Sequence, residues 1–509
     1  MTGVEASELQ QQKLDNNHDV ILVTINVLRP DHLSCYGYHR KTSPAIDKLA
    51  KESFVFKNTF SQAGYTLPNM MSIITSLYPE SHGVLDVYKD KLSSHIYTIA
   101  EILKIYEYKT AWFSVLDEPH LAIDAGFGRG FDYMDELDRR FNGKEQMLSW
   151  IRQNRNEKFF VAMNVRSIHS PYFPLSKYKH AFKSGEKGKI IEDHEEFYRT
   201  IYFKILESIN TPGSLMYDLF DKETVVLIRN EELDSRDQDG VKERFWEMKV
   251  DKIERFIPKE KLYKLNRTKV LAYNSQVDIS NKKNLEYLIS LYDACILGVD
   301  QELIKPIIST LRELKIYDNT ILIITADHGE SLGEHNILGH GFHFDDEVIH
   351  APLIIKIPYS RGRREIKELA QSIDIMPTIL DLLGIPIPYY AQGKSLLALM
   401  QNKKSIPVHE YIYGQNRKLA YLRSLKWKLI VDRSGIHQDR CDHDRFYNLK
   451  EDPKELHDLH FTKPEAYRKL KRKIKEHVES LPVYIDKKYS FPEYIDKATQ
   501  ERIKKTGYW

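Results

Sequence analysis

Cysteine is scarce in this chain, which has three cysteines among 509 residues. Cys35, Cys295 and Cys441 are odd in number and far apart. This pattern fits free, buried thiols in a reducing compartment better than a disulfide framework. The polar segment up to His18 also lacks the basic and apolar regions of a secretion signal. Together these absences predict a cytoplasmic protein.

Long apolar runs and a charge bias are also missing. No stretch of about 18 apolar residues occurs, so we expect no membrane span. The 75 Lys and Arg residues balance 73 Asp and Glu residues, so the overall charge does not indicate a nucleic-acid partner. A hydrophobic content of 42% is typical of a globular protein with a well-packed core.

The chain does contain short, apolar, β-branched runs that alternate with helical patterns. Three of these runs cover residues 20–26, 159–165 and 321–326. The alternation from residue 20 to residue 385 predicts an α/β fold with a mostly parallel sheet covered by helices on both faces. In sheets of this kind, ligands bind at the carboxyl ends of the strands.

Changes in composition along the chain suggest its organisation. A region rich in Lys, Glu, Arg and Tyr interrupts the strand and helix alternation, and short strands replace it after about residue 400. The predicted segments are a polar tail over 1–18, a main domain over 19–400 with a helical insertion at about 175–285, a small α+β subdomain over 401–481 and a Lys- and Tyr-rich tail over 482–509.

The most informative segment begins with Asp327-His328-Gly329, at the end of an apolar run. Further metal-competent side chains follow within a few residues, namely Glu330, Glu334, His335, His340 and His343. Carboxylate and imidazole groups at a strand end favour a metal or catalytic site at the edge of the sheet. The alternative is a strand followed by a polar loop with scattered histidines.

Four separated segments resemble motifs of the sulfatase family in the alkaline phosphatase superfamily. The first reads Asn26-Val-Leu-Arg-Pro-Asp-His-Leu-Ser-Cys-Tyr-Gly37 and the second runs from Gly64 to Gly83. The third combines Asp327-His-Gly329 with Gly339-His-Gly341 and Asp346 to Pro352, and the fourth runs from Phe446 to Leu459. Several motifs in the right order are more specific than any one of them. The resemblance implies an alkaline-phosphatase-like fold.

The resemblance also implies a site. The family holds one divalent cation, often calcium, magnesium or manganese, and here Asn26, Asp327, His328 and Thr66 fall at ligand positions. Thr66 falls at the nucleophile. His169 matches a histidine that assists the leaving group or binds the anion, and His340 stands where many arylsulfatases have a substrate-binding lysine.

Several positions depart from the family pattern. Sulfatases oxidise Cys or Ser in a Cys/Ser-X-Pro-X-Arg segment to formylglycine, but this chain reads Thr66-Leu-Pro-Asn-Met70. Threonine does not give that aldehyde, so we expect no formylglycine, and Met70 replaces the supporting arginine. Val115 occupies the position of a lysine. Asn26 replaces a carboxylate ligand, which weakens the predicted metal binding.

Two functions remain open at this stage. The first is a metal-dependent hydrolase or transferase that acts on a sulfate or phosphate ester, with a small anionic ester or glycan as substrate. The second is a non-catalytic relative that binds an anionic glycan or phospho-ligand. Structural roles are the alternatives for single residues: a turn-capping hydroxyl for Thr66, a surface loop for His169, and bracing through Arg29 for Asp31. The oligomeric state is not predicted.

Overall fold

The computed structural model describes most of the chain. The described residues are 17–85, 90–115, 125–182, 184–197, 270, 272–341, 343–360, 362–401, 407–435 and 444–484. The N-terminal tail, the C-terminal tail and most of the predicted insertion therefore lie outside the described residues.

Short strands account for the apolar runs of the sequence. Strands β1, β5 and β6 are buried along their full length, whereas the four residues of β4 are exposed or half-buried. The strands are β1 (Asp19–Ile25), β2 (Phe54–Phe60), β3 (Lys109–Ser114), β4 (Tyr133–Glu136), β5 (Phe159–Val165), β6 (Thr320–Thr325), β7 (Ser331–Leu332), β8 (Leu338–Gly339), β9 (His350–Lys356), β10 (Arg364–Gln371), β11 (Ile412–Gln415), β12 (Leu419–Arg423), β13 (Trp427–Asp432) and β14 (Arg445–Asn448).

The central sheet has eight strands in the order β10-β2-β9-β6-β1-β5-β3-β4. Strand β9 runs antiparallel to both of its neighbours, β2 and β6, and the other neighbouring pairs are parallel. This arrangement confirms the predicted α/β fold with a mostly parallel sheet. The carboxyl ends of β1, β5 and β6 lie side by side at one edge of the sheet, since these strands are parallel neighbours.

Helices connect the strands of the sheet and cover it. They are α1 (Pro44–Ala50), α2 (Thr66–Thr75), α3 (Pro79–His82), α4 (Ile99–Ile105), α5 (Lys144–Gln153), α6 (His194–Phe197), α7 (Lys282–Val299), α8 (Lys305–Glu313), α9 (Asp346–Ile349), α10 (Ile375–Leu382), α11 (Leu397–Met400) and α12 (Pro464–Ser480). A π-helical turn over Asp300–Ile304 joins α7 to α8.

Helix α2 lies inside the protein. All ten of its residues are buried, and its apolar side chains join a core cluster that includes residues of β1, β2, α4 and α10. The helix begins at Thr66, so Thr66 is its first residue rather than the turn-capping residue considered as the alternative, and Pro68 lies in the first turn. Proline is accepted there because the first turn of a helix leaves its N–H groups without intrahelical partners.

The C-terminal region forms a separate antiparallel sheet with the strand order β11-β12-β13-β14. Helix α12 packs Tyr467, Leu470 and Ile474 against Leu422, Leu429 and other apolar side chains of this sheet. A small α+β arrangement was predicted here, and the sheet and helix confirm that architecture.

The chain divides into two compact units. One comprises residues 1–168, 296–335 and 340–509, and the other comprises residues 169–295 and 336–339. Within the second unit, described aromatic rings pack together; those of Tyr172 and Tyr292 lie 5.5 Å apart between centroids.

Two sequence predictions concern properties of the whole chain. Cys35 and Cys295 are buried, as predicted, and Cys441 lies outside the described residues. Within the ranges given above, no helix has the length and apolar character needed to cross a bilayer.

Candidate active site

Three buried polar side chains follow the ends of neighbouring parallel strands. Asn26 follows β1 and Arg166 follows β5, and the backbone N–H of Asn26 donates to the carbonyl of Val165 at 2.9 Å. Asp327 lies two residues beyond β6. The exposed fraction is 0% for Asn26 and Asp327 and 4% for Arg166. The sheet therefore brings an amide, a guanidinium and a carboxylate to one edge.

Thr66 comes to this edge as the first residue of α2. Its Oγ1 accepts a hydrogen bond of 2.7 Å from Nδ2 of Asn26. Thr66 keeps 5% of its surface exposed, whereas Asn26, Asp327 and His328 keep none. Among these four, Thr66 is the residue that keeps some exposed surface.

The carboxylate of Asp327 is held by N–H donors. Nδ2 of Asn26 donates to Oδ2 at 2.7 Å, and Oδ1 accepts from the backbone N–H groups of His328 at 2.9 Å and Val27 at 3.2 Å. Nδ2 of Asn69, in helix α2, donates to the Asp327 carbonyl. These bonds fix the strand end against the start of the helix, and the carboxylate accepts at both of its oxygens.

His328 faces Thr66 through one ring nitrogen and the backbone through the other. Nδ1 lies 2.8 Å from the carbonyl oxygen of Gly329, and Nε2 lies 3.4 Å from Oγ1 of Thr66. Burial lowers the pKa of His328 to about 4, although the charge of Asp327 opposes this shift. The imidazole is therefore neutral at neutral pH.

His340 lies beside His328, with their ring centroids 4.5 Å apart. Its Nδ1 is 2.9 Å from Oε1 of Glu330, whose side chain has no exposed surface. A carboxylate on one ring nitrogen fixes the orientation of the ring. The Glu330–His340 pair is therefore a candidate acid or base beside His328.

Arg166 brings a positive charge to the site. Burial lowers the pKa of the guanidinium to about 10, and the negative charge of Asp327 counteracts that effect. The group stays charged at neutral pH, because a pKa near 10 is still far above 7.

The hydrogen bonds at the predicted cation position test whether these residues fit a divalent metal. Nδ2 of Asn26 lies 2.7 Å from both Oγ1 of Thr66 and Oδ2 of Asp327, and the buried carbonyl oxygen Oδ1 of Asn26 has no hydrogen-bond partner among the described residues. Asp327 is the single carboxylate among the four predicted ligands. Calcium takes six to eight oxygen ligands, usually with several carboxylates. A single carboxylate is few for calcium, but the buried carbonyl of Asn26 and the carboxylate of Asp327 are oxygen ligands that Mg²⁺ or Mn²⁺ accepts.

A second group of metal-competent side chains lies after this segment. His335, Asp345 and Glu347 offer ligand atoms that all lie within 4.8 Å of one another. However, Asp345 already accepts from His343 at 2.7 Å and from Arg445 at 3.2 Å. These two partners occupy the carboxylate that the ion would need, so we assign no role to the group.

His169 belongs to the second compact unit, and its Nδ1 lies 2.6 Å from the carbonyl oxygen of Ser170. Its role at the site remains a prediction. Asp31 has the predicted bracing role, since it pairs with Arg29 at 2.7 Å. Arg29 also pairs with Glu334 at 2.9 Å.

The departures from the family pattern leave apolar side chains near the site. Met70 is fully buried, and its Sδ lies 3.4 Å from Nδ2 of Asn164. Val115 follows β3 and is partly buried. Neither side chain can hold an anion, so the positive charge of the site has to come from other residues.

Sequence reasoning missed two residues of this site. Arg166 was placed at a strand end without a role, and Glu330 was one of several acidic side chains after Asp327. The signal for Arg166 was its position directly after β5, the parallel neighbour of β1. The signal for Glu330 was weaker, because its pairing with His340 depends on the path of the intervening loop.

Comparison with known families gives two matches. The sulfatase family matches residues 18–385. The C-terminal family of N-sulphoglucosamine sulphohydrolase matches residues 333–483.

Curated relatives match most of the chain at low identity. An N-acetylglucosamine-6-O-sulfatase from Bacteroides thetaiotaomicron is 23% identical over 508 residues, covering 91% of this chain and 86% of the relative. An arylsulfatase from Clostridium perfringens is 23% identical, covering 87% of this chain and 90% of the relative.

Solved structures share the fold. A protein in complex with its substrate D-glucosamine-2-N,6-O-disulfate has a TM-score of 0.63 and 18% identity, covering 91% of this chain and 97% of the other. A phosphonate monoester hydrolase of Agrobacterium radiobacter has a TM-score of 0.61 and 18% identity, covering 91% of this chain and 95% of the other.

Proposed function

Because this chain belongs to the sulfatase family of hydrolases, we propose that it cleaves sulfate or phosphorus esters with Thr66 as the nucleophile. The observation that carries the proposal is the setting of Oγ1 of Thr66. This oxygen lies 2.7 Å from an amide donor on Asn26 and 3.4 Å from Nε2 of His328. A buried hydroxyl held between a donor and a neutral imidazole is typical of an activated nucleophile.

Sulfated amino sugars are the substrate class that we propose first. One curated relative is named as an N-acetylglucosamine-6-O-sulfatase, and one structural neighbour was solved with a sulfated glucosamine. Phosphonate and phosphate esters are the second class, because another neighbour is a phosphonate monoester hydrolase and an unoxidised hydroxyl nucleophile suits phosphoryl transfer. An anionic glycan or a small anionic ester is therefore the expected partner.

In the proposed reaction, the bound ester places its sulfur or phosphorus atom in line with Oγ1 of Thr66. Arg166 and the N-terminal end of α2 oppose the negative charge on the non-bridging oxygens. His340, held by Glu330 at 2.9 Å, protonates the leaving oxygen. His169 remains the alternative proton donor, as the resemblance implies.

The family typically uses a divalent metal, and the predicted ligands are Asn26, Thr66, Asp327 and His328. A cation held by these residues would oppose the negative charge of the bound ester, and no step of the proposed mechanism is assigned to it. A cytoplasmic location also remains a proposal, which cell fractionation checks directly.

A panel of esters tests the proposed function. Wild type and the Thr66→Ala and Thr66→Ser variants are assayed on aryl sulfates, glucosamine 6-sulfate, aryl phosphates and phosphonate monoesters. Thr66→Ala is expected to lower turnover by more than about 1,000-fold, whereas Thr66→Ser keeps a hydroxyl and part of the activity. Thr75→Ala, in the same buried helix, is the control, since Oγ1 of Thr75 donates only to the Met71 carbonyl.

The outcome separates the enzyme from the non-catalytic alternative, which the buried apolar Met70 favours. Turnover that Thr66→Ala leaves unchanged would remove Thr66 from the mechanism. Binding of sulfated glucosamine without any turnover in wild type would establish a binding protein.

A further inference from the structure

We propose that the C-terminal sheet positions the candidate active site through a buried group of charges at the start of helix α9. Asp346, the first residue of α9, is the positioning residue, and Arg423 and Lys428 of the sheet bind it. The inference rests on the proposed function, because it concerns the same site. The sheet acts on the geometry of the site through the backbone of α9.

Two cations of the C-terminal sheet converge on the carboxylate of Asp346. Arg423, in β12, donates from Nε to Oδ1 at 3.0 Å and from Nη2 to Oδ2 at 2.7 Å. Lys428, in β13, donates from Nζ to Oδ1 at 2.9 Å. The paired N–H groups of a guanidinium match the two oxygens of a carboxylate, so this contact fixes the direction of the Asp346 side chain as well as its distance.

Glu455 closes this group of charges. One of its carboxylate oxygens lies 2.6 Å from Nζ of Lys428, and the other accepts the backbone N–H of Asp346 at 2.8 Å. The side chains of Lys428 and Glu455 have 0% and 1% of their surface exposed. Because burial of charges is costly, such ion pairs contribute little net stability. What they supply is one fixed position for the start of α9.

Further contacts hold the rest of α9 against the sheet. Nη1 of Arg445, in β14, lies 3.2 Å from Oδ1 of Asp345, the residue before α9. Val348 and Ile349 of α9 belong to a buried apolar cluster that includes Ile430 of β13. Each of the strands β12, β13 and β14 therefore contributes one cation to the two acidic residues where α9 begins.

The backbone of α9 lies directly against the strand end that carries His328. The Gly329 N–H donates to the Val348 carbonyl at 2.7 Å, and a Cβ at Gly329 would lie 2.2 Å from the Glu347 carbonyl oxygen. The Gly329 carbonyl oxygen in turn lies 2.8 Å from Nδ1 of His328. A shift of α9 therefore moves the residue that orients the His328 ring.

The same helix packs beside the segment that precedes Thr66. A Cβ at Gly64 would lie 3.2 Å from Cγ1 of Val348 and 3.1 Å from the carbonyl oxygen of His343. Gly64 comes two residues before Thr66, the first residue of α2. Helix α9 thus lies against both segments whose spacing sets the distance of 3.4 Å between Oγ1 of Thr66 and Nε2 of His328.

Asp346→Asn removes the charge and keeps the shape of the side chain, so it tests the role of the ion pairs. We expect kcat on the best ester to fall about 10- to 100-fold and KM to change less than about 3-fold, because a small displacement of the reacting groups slows the chemical step. Hydrogen exchange measured by mass spectrometry should become about 10-fold faster or more in the peptide that contains the Gly329 N–H. Peptides of β1 and β5 should exchange as in wild type.

Asp444→Asn is the matched control, because it breaks another buried ion pair of the same subdomain. Oδ2 of Asp444 lies 2.8 Å from Nζ of Lys471 in helix α12, and the two side chains are 0% and 5% exposed. We expect this variant to lose a comparable part of the free energy of unfolding. Its kcat and its exchange at Gly329 should remain those of wild type.

Arg423→Lys provides the test if Asp346→Asn does not fold. The substitution keeps a cation beside Asp346 and loses the paired contact of the guanidinium. We expect kcat to fall about 3- to 10-fold and exchange at Gly329 to rise by a similar factor.

The results distinguish the inference from the proposed function. Wild-type exchange at Gly329 in a folded Asp346→Asn or Arg423→Lys protein would overturn the inference, and so would faster exchange with wild-type kcat. An equal increase in Asp444→Asn would also overturn it, since it would indicate a general loss of stability. If wild-type protein turns over no ester, the proposed function fails, whereas exchange at Gly329 still decides whether the sheet holds the strand end.

Discussion

Nδ2 of Asn26 lies 2.7 Å from Oδ2 of Asp327, so a hydrogen-bond donor faces the carboxylate at the end of the neighbouring strand. The same amide nitrogen donates to Thr66 at 2.7 Å. One side chain thus connects two strand ends to the first residue of helix α2.

Asn26→Asp should change both the stability and the metal affinity of the protein. The substitution places two carboxylates about 2.7 Å apart in a buried site, and their repulsion should lower the free energy of unfolding by about 1–3 kcal/mol. Added calcium should restore it, because two carboxylates and a hydroxyl are oxygen ligands. Thermal denaturation with chelator and with calcium measures both effects.

The control for this prediction is Asn58→Asp, at the partly exposed Asn58 in β2. Its melting temperature should not respond to calcium. An Asn26→Asp protein that is as stable as wild type in chelator would contradict the assigned orientation of the amide.

Glu330→Gln should slow the release of poor leaving groups. The buried carboxylate holds Nδ1 of His340 at 2.9 Å, and the substitution replaces this charged partner of the ring with a neutral amide. We expect turnover of an alkyl ester to fall about 10- to 100-fold, and that of an ester with a nitrophenol leaving group much less. Glu334→Gln is the control in the same loop, since Glu334 pairs with Arg29. An equal loss on both esters would indicate a structural role for Glu330.

Gly329→Ala should destabilise the strand end that carries His328. A Cβ at this position would lie 2.2 Å from the Glu347 carbonyl oxygen, and this neighbour is backbone that cannot swing away. We expect a loss of about 3 kcal/mol or more in the free energy of unfolding, measured by urea denaturation. Gly37→Ala is the comparison, with a positive φ but no atom within 4 Å, and it should cost about 1 kcal/mol. Equal losses in the two variants would contradict the close approach.

Acid should weaken the packing of helix α2 through His82. Nε2 of His82 lies 3.2 Å from the Pro68 carbonyl oxygen, and Nδ1 accepts from the Val84 N–H at 3.0 Å. Burial lowers the pKa of His82 from 6.5 to about 3. As the pH falls, His82 of the unfolded chain takes up a proton before the buried His82 of the folded protein does. The contribution of the neutral His82 ring to stability is therefore complete above about pH 6.5 and falls as the pH drops toward 3.

Urea unfolding at pH 4.5 and pH 7.5 measures this effect. In wild type, His82 should account for a loss of up to about 3 kcal/mol between these values. His82→Gln should flatten the dependence even if the variant is less stable overall. An unchanged pH dependence would show that other groups cause the loss.

The sequence was sufficient to predict the central strands of the sheet. The apolar run 159–165 is strand β5, and the run from Val20 became β1 with its end one residue before Asn26. Parallel strands that are buried on both faces consist of nearly continuous apolar runs, which are visible in the sequence. A turn at Thr66 stayed open as an alternative because Pro68 is typical of turns as well as of first helical turns.

The site was predictable in its parts but not in its contacts. Asp327, His328 and Thr66 follow from motifs that lie within single segments. The role of Arg166 depends on which strands are neighbours, and the direction of the Asn26 amide depends on hydrogen bonds to residues 40 and 301 positions away. Such orientations arise from tertiary packing, which no local pattern contains.

The most direct test of the central claim is the mass of the peptide that contains Thr66 after reaction with substrate and rapid acid quench. The account predicts that this peptide gains one sulfuryl or phosphoryl group in wild type, and that fragmentation locates the group on the Thr66 side chain. Steady turnover of the ester by an enzyme that carries the group on another residue, or turnover by Thr66→Ala at the wild-type rate, would contradict it.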